Sequence, residues 1–167
     1  MPLNGHQLAI GALSCAHLRL IALDSPTMTQ NESFDYLAAI RARGTGELDS
    51  KMGIEITEAS PQRLVGTIPV VGNRQPMGLL HGGANVVLAE SLGSVGSLIH
   101  AGPGRSVVGI DINATHHKSA TEGIVTGVAT AITLGKTLCV WDIVITNEAG
   151  ERTCTARITC LILAKRD

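Results

Sequence analysis

Gln75-Pro76-Met77-Gly78-Leu79-Leu80-His81-Gly82-Gly83 runs directly into Ala84-Asn85-Val86-Val87-Leu88-Ala89-Glu90-Ser91-Leu92-Gly93-Ser94-Val95-Gly96-Ser97-Leu98-Ile99. This stretch reads as a glycine-rich turn leading into one long helix, and the fold follows from it. Leu88, Leu92, Val95 and Ile99 recur at the helical period, which places four branched aliphatic side chains on one face and predicts that this face is core. On the opposite side, where a solvent-facing helix carries Lys, Arg and Glu, this one has Gly83, Glu90, Ser94 and Ser97 among more apolar residues. Glu90 is the single formally charged side chain between Gln75 and Ile99. A lone carboxylate in such surroundings is either simply exposed or held in a partly desolvated cleft, and the second case makes it a tuned acid or base.

The start of the helix adds a second feature. Gly82 and Gly83 leave backbone N–H groups bare where the first-turn donors have no intrahelical partner and the helix dipole is positive. Such an end favours negative charge developing on oxygen. An oxyanion site and a carboxylate on one helix point to acyl transfer. Gly82 and Glu90, however, are eight positions apart, about 12 Å along the axis at about 1.5 Å per residue, and the backward lean of the Glu side chain recovers only part of that. Two antiparallel copies of the helix would bring one N-terminus beside the middle of the other. Helix geometry alone thus makes a dimer the economical way to use both groups.

Outward from the helix the chain is strand-rich. Residues 53–58 alternate Ile54 and Ile56 with polar residues, Ser60-Pro61-Gln62 marks a turn, and residues 63–71 continue as a second strand. His100-Ala101-Gly102-Pro103-Gly104 ends the helix. Further strands are expected over 105–117, 123–134, 137–147, with Cys139, Trp141, Ile143 and Ile145 on one face, and 151–163. Upstream, Ser33 reads as the N-cap of a helix over 34–43, with Tyr36, Leu37 and Ile40 on one side, expected to lie across the open side of the fold, and Gly44-Thr45-Gly46 stops it. The sum is an α+β domain in which an antiparallel sheet wraps one long buried helix.

Composition sets the limits. The 167 residues make one domain with a real core. A net charge of −1 gives no electrostatic case for nucleic acid or an anionic membrane. With Phe34, Tyr36 and Trp141 the only aromatics and nineteen glycines, the core must be aliphatic and closely packed. Cys15, Cys139, Cys154 and Cys160 form no CxxC pair and have no metal-ligand spacing with the histidines, so neither a disulfide framework nor a zinc site is expected. Cys154 and Cys160 fall in register with Ala156 and Ile158 and read as buried thiols. Residues 1–30 read as an extension, either a short amphipathic helix or poorly ordered. The apolar run 8–23 has no basic residue ahead of it, and His17 and Arg19 interrupt it short of a membrane span.

Gln75, then His81-Gly82-Gly83, then Glu90 followed by Ser94, together with the later run Gly109-Ile110-Asp111-Ile112-Asn113-Ala114-Thr115-His116, resembles the hotdog-fold acyl-CoA thioesterases. The resemblance is to the type that includes the phenylacetyl-CoA, 4-hydroxybenzoyl-CoA (glutamate class) and 1,4-dihydroxy-2-naphthoyl-CoA enzymes, and it covers residues 52–163. Since all of it lies after Met28, that residue is a second candidate start, and residues 31–167 form the single hotdog domain. The resemblance implies hydrolysis of a small acyl-CoA, aromatic or not, in the cytoplasm, with no metal and no cofactor beyond the coenzyme A of the substrate. It also implies a homodimer sharing its sites between subunits, and association of two dimers into a tetramer.

For the residues, the resemblance implies that the Gly82 N–H holds the thioester carbonyl and that Gln75 donates to it or orients the acyl group. Glu90 of the partner subunit attacks the carbonyl or serves as general base on water, and Ser94 holds the carboxylate or the water. His81 either touches the thioester sulfur or braces the turn, and Gly83 beside it is a substrate-binding residue. Coenzyme A phosphates call for cations, and His116, Lys118, Lys136 and Arg152 are the candidates. The family pattern after Asn113-Ala114 continues Asn-His-Leu-Arg-Pro, whereas here it reads Thr115-His116-His117-Lys118-Ser119, so that Lys118 keeps the charge without the planar fork of Arg. Two other readings stand beside this one. A hotdog hydratase usually pairs a catalytic histidine with Asp or Asn, which is not the arrangement of His81 and Glu90. A non-catalytic acyl-CoA-binding dimer would leave Glu90 incidental.

Overall fold

The computed structural model describes residues 34–164; the proposed extension over 1–30, Ser33, Met28 and Cys15 lie outside them. Three helices and six strands follow in the order α1 (Tyr36–Arg43), α2 (Glu47–Met52), β1 (Glu55–Ala59), β2 (Arg63–Pro69), α3 (Gly82–Ala101), β3 (Ser106–His116), β4 (Ile124–Leu134), β5 (Leu138–Thr146) and β6 (Arg152–Leu163). All strand pairs are antiparallel, in the spatial order β1-β2-β4-β5-β6-β3. The expected α+β hotdog architecture, a sheet around one long helix, is the one observed. β3, the long strand that follows α3, crosses to the far edge of the sheet beside β6.

Alternation along the strands supplies the inner face. Val125 and Ala129 on β4, Cys139, Trp141, Ile143 and Ile145 on β5, and Cys154, Ala156, Ile158 and Cys160 on β6 are all buried against α3. Gly66 on β2 and Gly127 on β4 are register partners, and a β-carbon at either would stand about 3.0 Å from a methyl of Leu92. These two glycines make the trough in the sheet that receives Leu88 and Leu92.

The helix is turned relative to its expected orientation. Leu88 and Leu92 are fully buried, but Val95 and Ile99 are only partly so, and the buried arc swings round through Ala89, Gly93, Gly96 and Ser97. Ser97, expected opposite the core, is at 0% exposure and accepts a hydrogen bond of 2.9 Å from Trp141 Nε1–H. The reason is steric. Ile158 packs where a β-carbon of Gly93 would be, and Trp141 and Leu64 do the same at Gly96. The sheet therefore comes closest over the smallest residues, while the bulkier Val95 and Ile99 sit at the margin.

One further expectation is corrected. Asp35, not Ser33, caps α1, its carboxylate accepting from the Ala38 N–H at 2.9 Å, and the helix begins at Tyr36. Its Leu37 and Ile40 pack on the core margin. Residues 47–52, to which the sequence reading assigns no element, form the short helix α2 between Gly46 and Gly53.

Candidate active site

The loop carrying Gln75 is a tight turn. Its N–H donates to the Leu79 carbonyl at 2.8 Å, the Gly78 N–H returns to the Gln75 carbonyl at 2.9 Å, and Gly78 takes φ 82, a conformation that costs glycine least. The Met77 N–H donates to Gln75 Oε1 at 2.6 Å. Because an N–H can face only the carbonyl end of the amide, the Gln75 side-chain nitrogen is the end left to meet a ligand. Two further bonds, Leu80 N–H to the Ala120 carbonyl at 2.8 Å and His81 N–H to the Asn73 carbonyl at 2.9 Å, fix this loop at the N-terminus of α3.

At that terminus the two glycines differ. His81 is the N-cap, and its Nδ1 accepts from the Gly83 N–H at 2.9 Å. This bond consumes the Gly83 donor and leaves the proton of a neutral His81 on Nε2. The Gly82 N–H has no partner among the described residues, and it lies where the helix dipole is most positive. The His116 ring packs on Gly82 so closely that a β-carbon there would stand 2.8 Å from its Nε2. Gln75, Gly82, Asn85, His116 and Lys118 line one cavity of ≈ 310 Å³.

Glu90 lies in another place. Its Oε1 accepts from Ser94 Oγ–H at 3.3 Å, and its carboxylate occupies the space that a side chain at Gly109 of β3 would fill. The β3–β6 register slips between Gly109 and Asp111, a bulge at the point where the strand passes the carboxylate. Glu90 and Ser94 line a second cavity of ≈ 390 Å³ together with Asp49, Ser91, Val86, Val87 and Val95. Asp49 is 5% exposed and accepts from Ser91 Oγ–H at 2.7 Å. Within one chain, then, the predicted carbonyl-holding groups and the predicted carboxylate face separate cavities.

The cation candidates are divided. Lys118 lines the first cavity and pairs with Glu151; the hydrogen bond from Lys118, and after it the one from Asn147, hold the Glu151 carboxyl below the usual carboxylate range. Lys136, exposed in the β4–β5 turn, and Arg152, exposed at the start of β6, line neither cavity. Burial pushes the thiols of Cys139, Cys154 and Cys160 up, as suits inert core cysteines.

Two residues of these cavities escaped the sequence reading. Asp49 lies on α2, whose six residues show no apolar period. Asn85 is 5% exposed, and its Oδ1 has no hydrogen-bond partner. An amide inside the run Ala84 to Ala89 was the available signal for it.

Comparison with known proteins gives a consistent answer. Residues 77–154 match the thioesterase superfamily. The chain is 41% identical over 128 residues to the proofreading thioesterase EntH of Cronobacter turicensis, covering 76% of this chain and 93% of that protein. It is 43% identical to the 1,4-dihydroxy-2-naphthoyl-CoA hydrolase of Escherichia coli, covering 76% and 94%. A solved thioesterase structure from Haemophilus influenzae superposes with a TM-score of 0.74 at 36% identity, covering 78% of this chain and 92% of that one. With the antiparallel sheet wrapped around α3 and relatives that match along nearly their whole length, the chain belongs to the thioesterase superfamily and is a thioester hydrolase of the hotdog fold.

Proposed function

We propose that the protein hydrolyses the thioester of a small acyl-CoA at a site shared between two copies of the chain. The observation that carries this reading is the separation of Gln75 and Gly82 from Glu90 into two cavities of one subunit. A partner is needed to join them. β3 offers the means, being an edge strand of eleven residues with Val108 and Ile110 exposed, the kind of edge that natural proteins cover. Pairing β3 with its copy lays the two α3 helices side by side and antiparallel.

In such a dimer the thioester oxygen accepts from the Gly82 N–H, supported by the helix dipole, and from the Gln75 amide nitrogen. Glu90 of the partner subunit then acts in one of two ways. As nucleophile it bonds to the carbonyl carbon, the C–S bond breaks, and water hydrolyses the resulting anhydride. As base it takes a proton from water, whose oxygen adds to the carbon before the same bond breaks. Both routes release coenzyme A as a thiolate, a leaving group stable enough to need no strong general acid. Ser94 holds the carboxylate, His81 braces the turn, and His116 and Lys118 stand on the coenzyme A side. Lys136 and Arg152 remain candidates for phosphates reaching beyond that cavity. A cytoplasmic location and a tetramer of two dimers belong to the same reading.

Thiol release across a panel of aromatic and straight-chain acyl-CoAs tests it. Glu90→Ala is expected to lose at least about a thousandfold in kcat. Mixing inactive Glu90→Ala with inactive Gln75→Ala chains is expected to restore activity, because the mixed dimer contains one site with neither substitution. Full activity of Glu90→Ala would remove Glu90 from the chemistry, and no recovery on exchange of subunits would remove the shared site.

A further inference from the structure

Asn85 is a buried amide in the wall of the ≈ 310 Å³ cavity of Gln75 and Gly82, and the mechanism above does not use it. It is 5% exposed, and its Oδ1 is sealed without a hydrogen-bond partner among the described residues. Several donors on the segments around it are engaged elsewhere. The Leu80 N–H goes to the Ala120 carbonyl at 2.8 Å, the His117 N–H to the Thr153 carbonyl at 2.8 Å, and Lys118 Nζ to Glu151. A half-turn about the Cβ–Cγ bond exchanges the two ends of an amide, and at Asn85 it breaks no hydrogen bond of the oxygen. That oxygen is therefore available to a ligand in the cavity.

A buried acceptor without a donor costs free energy, and a Leu of similar size would carry no such cost. An Asn at this position is accounted for by a ligand that brings the donor. Asn85 lies three residues after Gly82, about 4.5 Å along the helix at about 1.5 Å per residue, and such pairs share a helix face. In a coenzyme A thioester whose carbonyl is held at the Gly82 N–H, the first donor beyond the sulfur is an amide N–H three bonds away, a comparable reach. We propose that Asn85 binds the pantetheine arm of the substrate, its Oδ1 accepting from the amide N–H nearest to the sulfur. His116 and Lys118 line the same cavity, so the arm runs from Gly82 past Asn85 towards them. The assignment rests on the thioesterase reading of Gly82 for the place where the arm begins. It makes Asn85 the residue by which the protein tells a pantetheine thioester from an alkyl thioester of the same acyl group.

The test compares benzoyl and hexanoyl thioesters of coenzyme A with those of an analogue in which CH₂ replaces that N–H. The unaltered protein is expected to favour the natural thioester by about tenfold or more in kcat/KM, chiefly through KM. Asn85→Leu and Asn85→Ala are expected to reduce this preference to the small intrinsic difference between the two leaving thiols, the same in both variants. Asn85→Leu also removes the unpaired acceptor and is expected to melt no lower than wild type, and Asn85→Ala serves if Leu is too large for the site. An amide with a structural role alone would lower the melting temperature on substitution and leave the preference unmoved. A preference that both variants retain in full, or none in the unaltered protein beyond theirs, overturns the proposal. Calorimetric binding of the corresponding ketones, with CH₂ in place of the thioester sulfur, reads the same preference without turnover. If no thiol is released but the ketones with and without the N–H differ in affinity for the unaltered protein alone, the hydrolase mechanism falls and the amide subsite stands. If thiol is released and the preference equals that of the variants, the subsite falls and the hydrolase stands.

Discussion

A methyl group at position 82 would stand 2.8 Å from His116 Nε2, so Gly82→Ala must move the imidazole, the helix N-terminus or both. If the Gly82 N–H holds the thioester oxygen, the substitution is expected to cost about a hundredfold or more in kcat. Steady-state thiol release measures it, and a rate equal to wild type would place the oxyanion donor elsewhere. Gly83 differs from Gly82 because its N–H is already bound by His81 Nδ1. Neighbouring glycines that look alike in the chain thus have separate tasks, and only the rotamer of His81 separates them. The same holds for Gln75, whose free end is defined by the Met77 N–H on its oxygen.

At the scale of elements, α3 is held to the sheet by small residues and one buried polar contact. Ser97→Val would leave Trp141 Nε1–H without its partner in the core, a loss of about 1–3 kcal/mol. Trp141 is the only tryptophan, so denaturant unfolding followed by its fluorescence reads both the stability and the altered surroundings of the ring. An unchanged midpoint would mean that the indole finds another acceptor. The segment after β3 is joined to the start of β6 by backbone hydrogen bonds to Thr153, and the Lys118–Glu151 ion pair adds to them. The Glu151 carboxyl is held low by Lys118 and Asn147, so its contribution to stability is present above the unfolded carboxylate pKa and fades as pH falls through the lower folded value. The melting temperature of Glu151→Gln is therefore expected to lie a few degrees or less below wild type at neutral pH. The two should converge in acid below the usual carboxylate range; a gap that widened there would reverse the assigned sign. Among the elements, α2 was the least legible, since Glu47-Leu48-Asp49-Ser50-Lys51-Met52 carries one turn and a half of helix with no apolar repeat.

At the scale of the molecule, the proposed dimer rests on β3. Ile110 is 55% exposed at the bulge on this edge strand, and Ile110→Lys would put a charge where the second copy is expected. The outcome anticipated is a shift from dimer or tetramer to monomer in sedimentation, with activity lost in proportion, because each half-site then lacks its complement. Dimer persisting with full activity would place the interface on another face. The sequence by itself determined that one long helix follows a glycine turn, that six alternating segments make an antiparallel sheet, and that Gln75, Gly82 and Glu90 are the groups to examine. The helix, the turn and the strands are local, set by side-chain period and backbone freedom within a few residues, whereas Gln75 is singled out by the family resemblance. Tertiary structure alone decided which arc of α3 is buried, because hydrophobic periodicity counts Val95 and Ile99 above Gly93 and Gly96, while close packing of Ile158 and Trp141 selects the smallest residues. It alone placed Asp49 and Asn85 in the two cavities, since their positions depend on contacts between segments far apart in the chain.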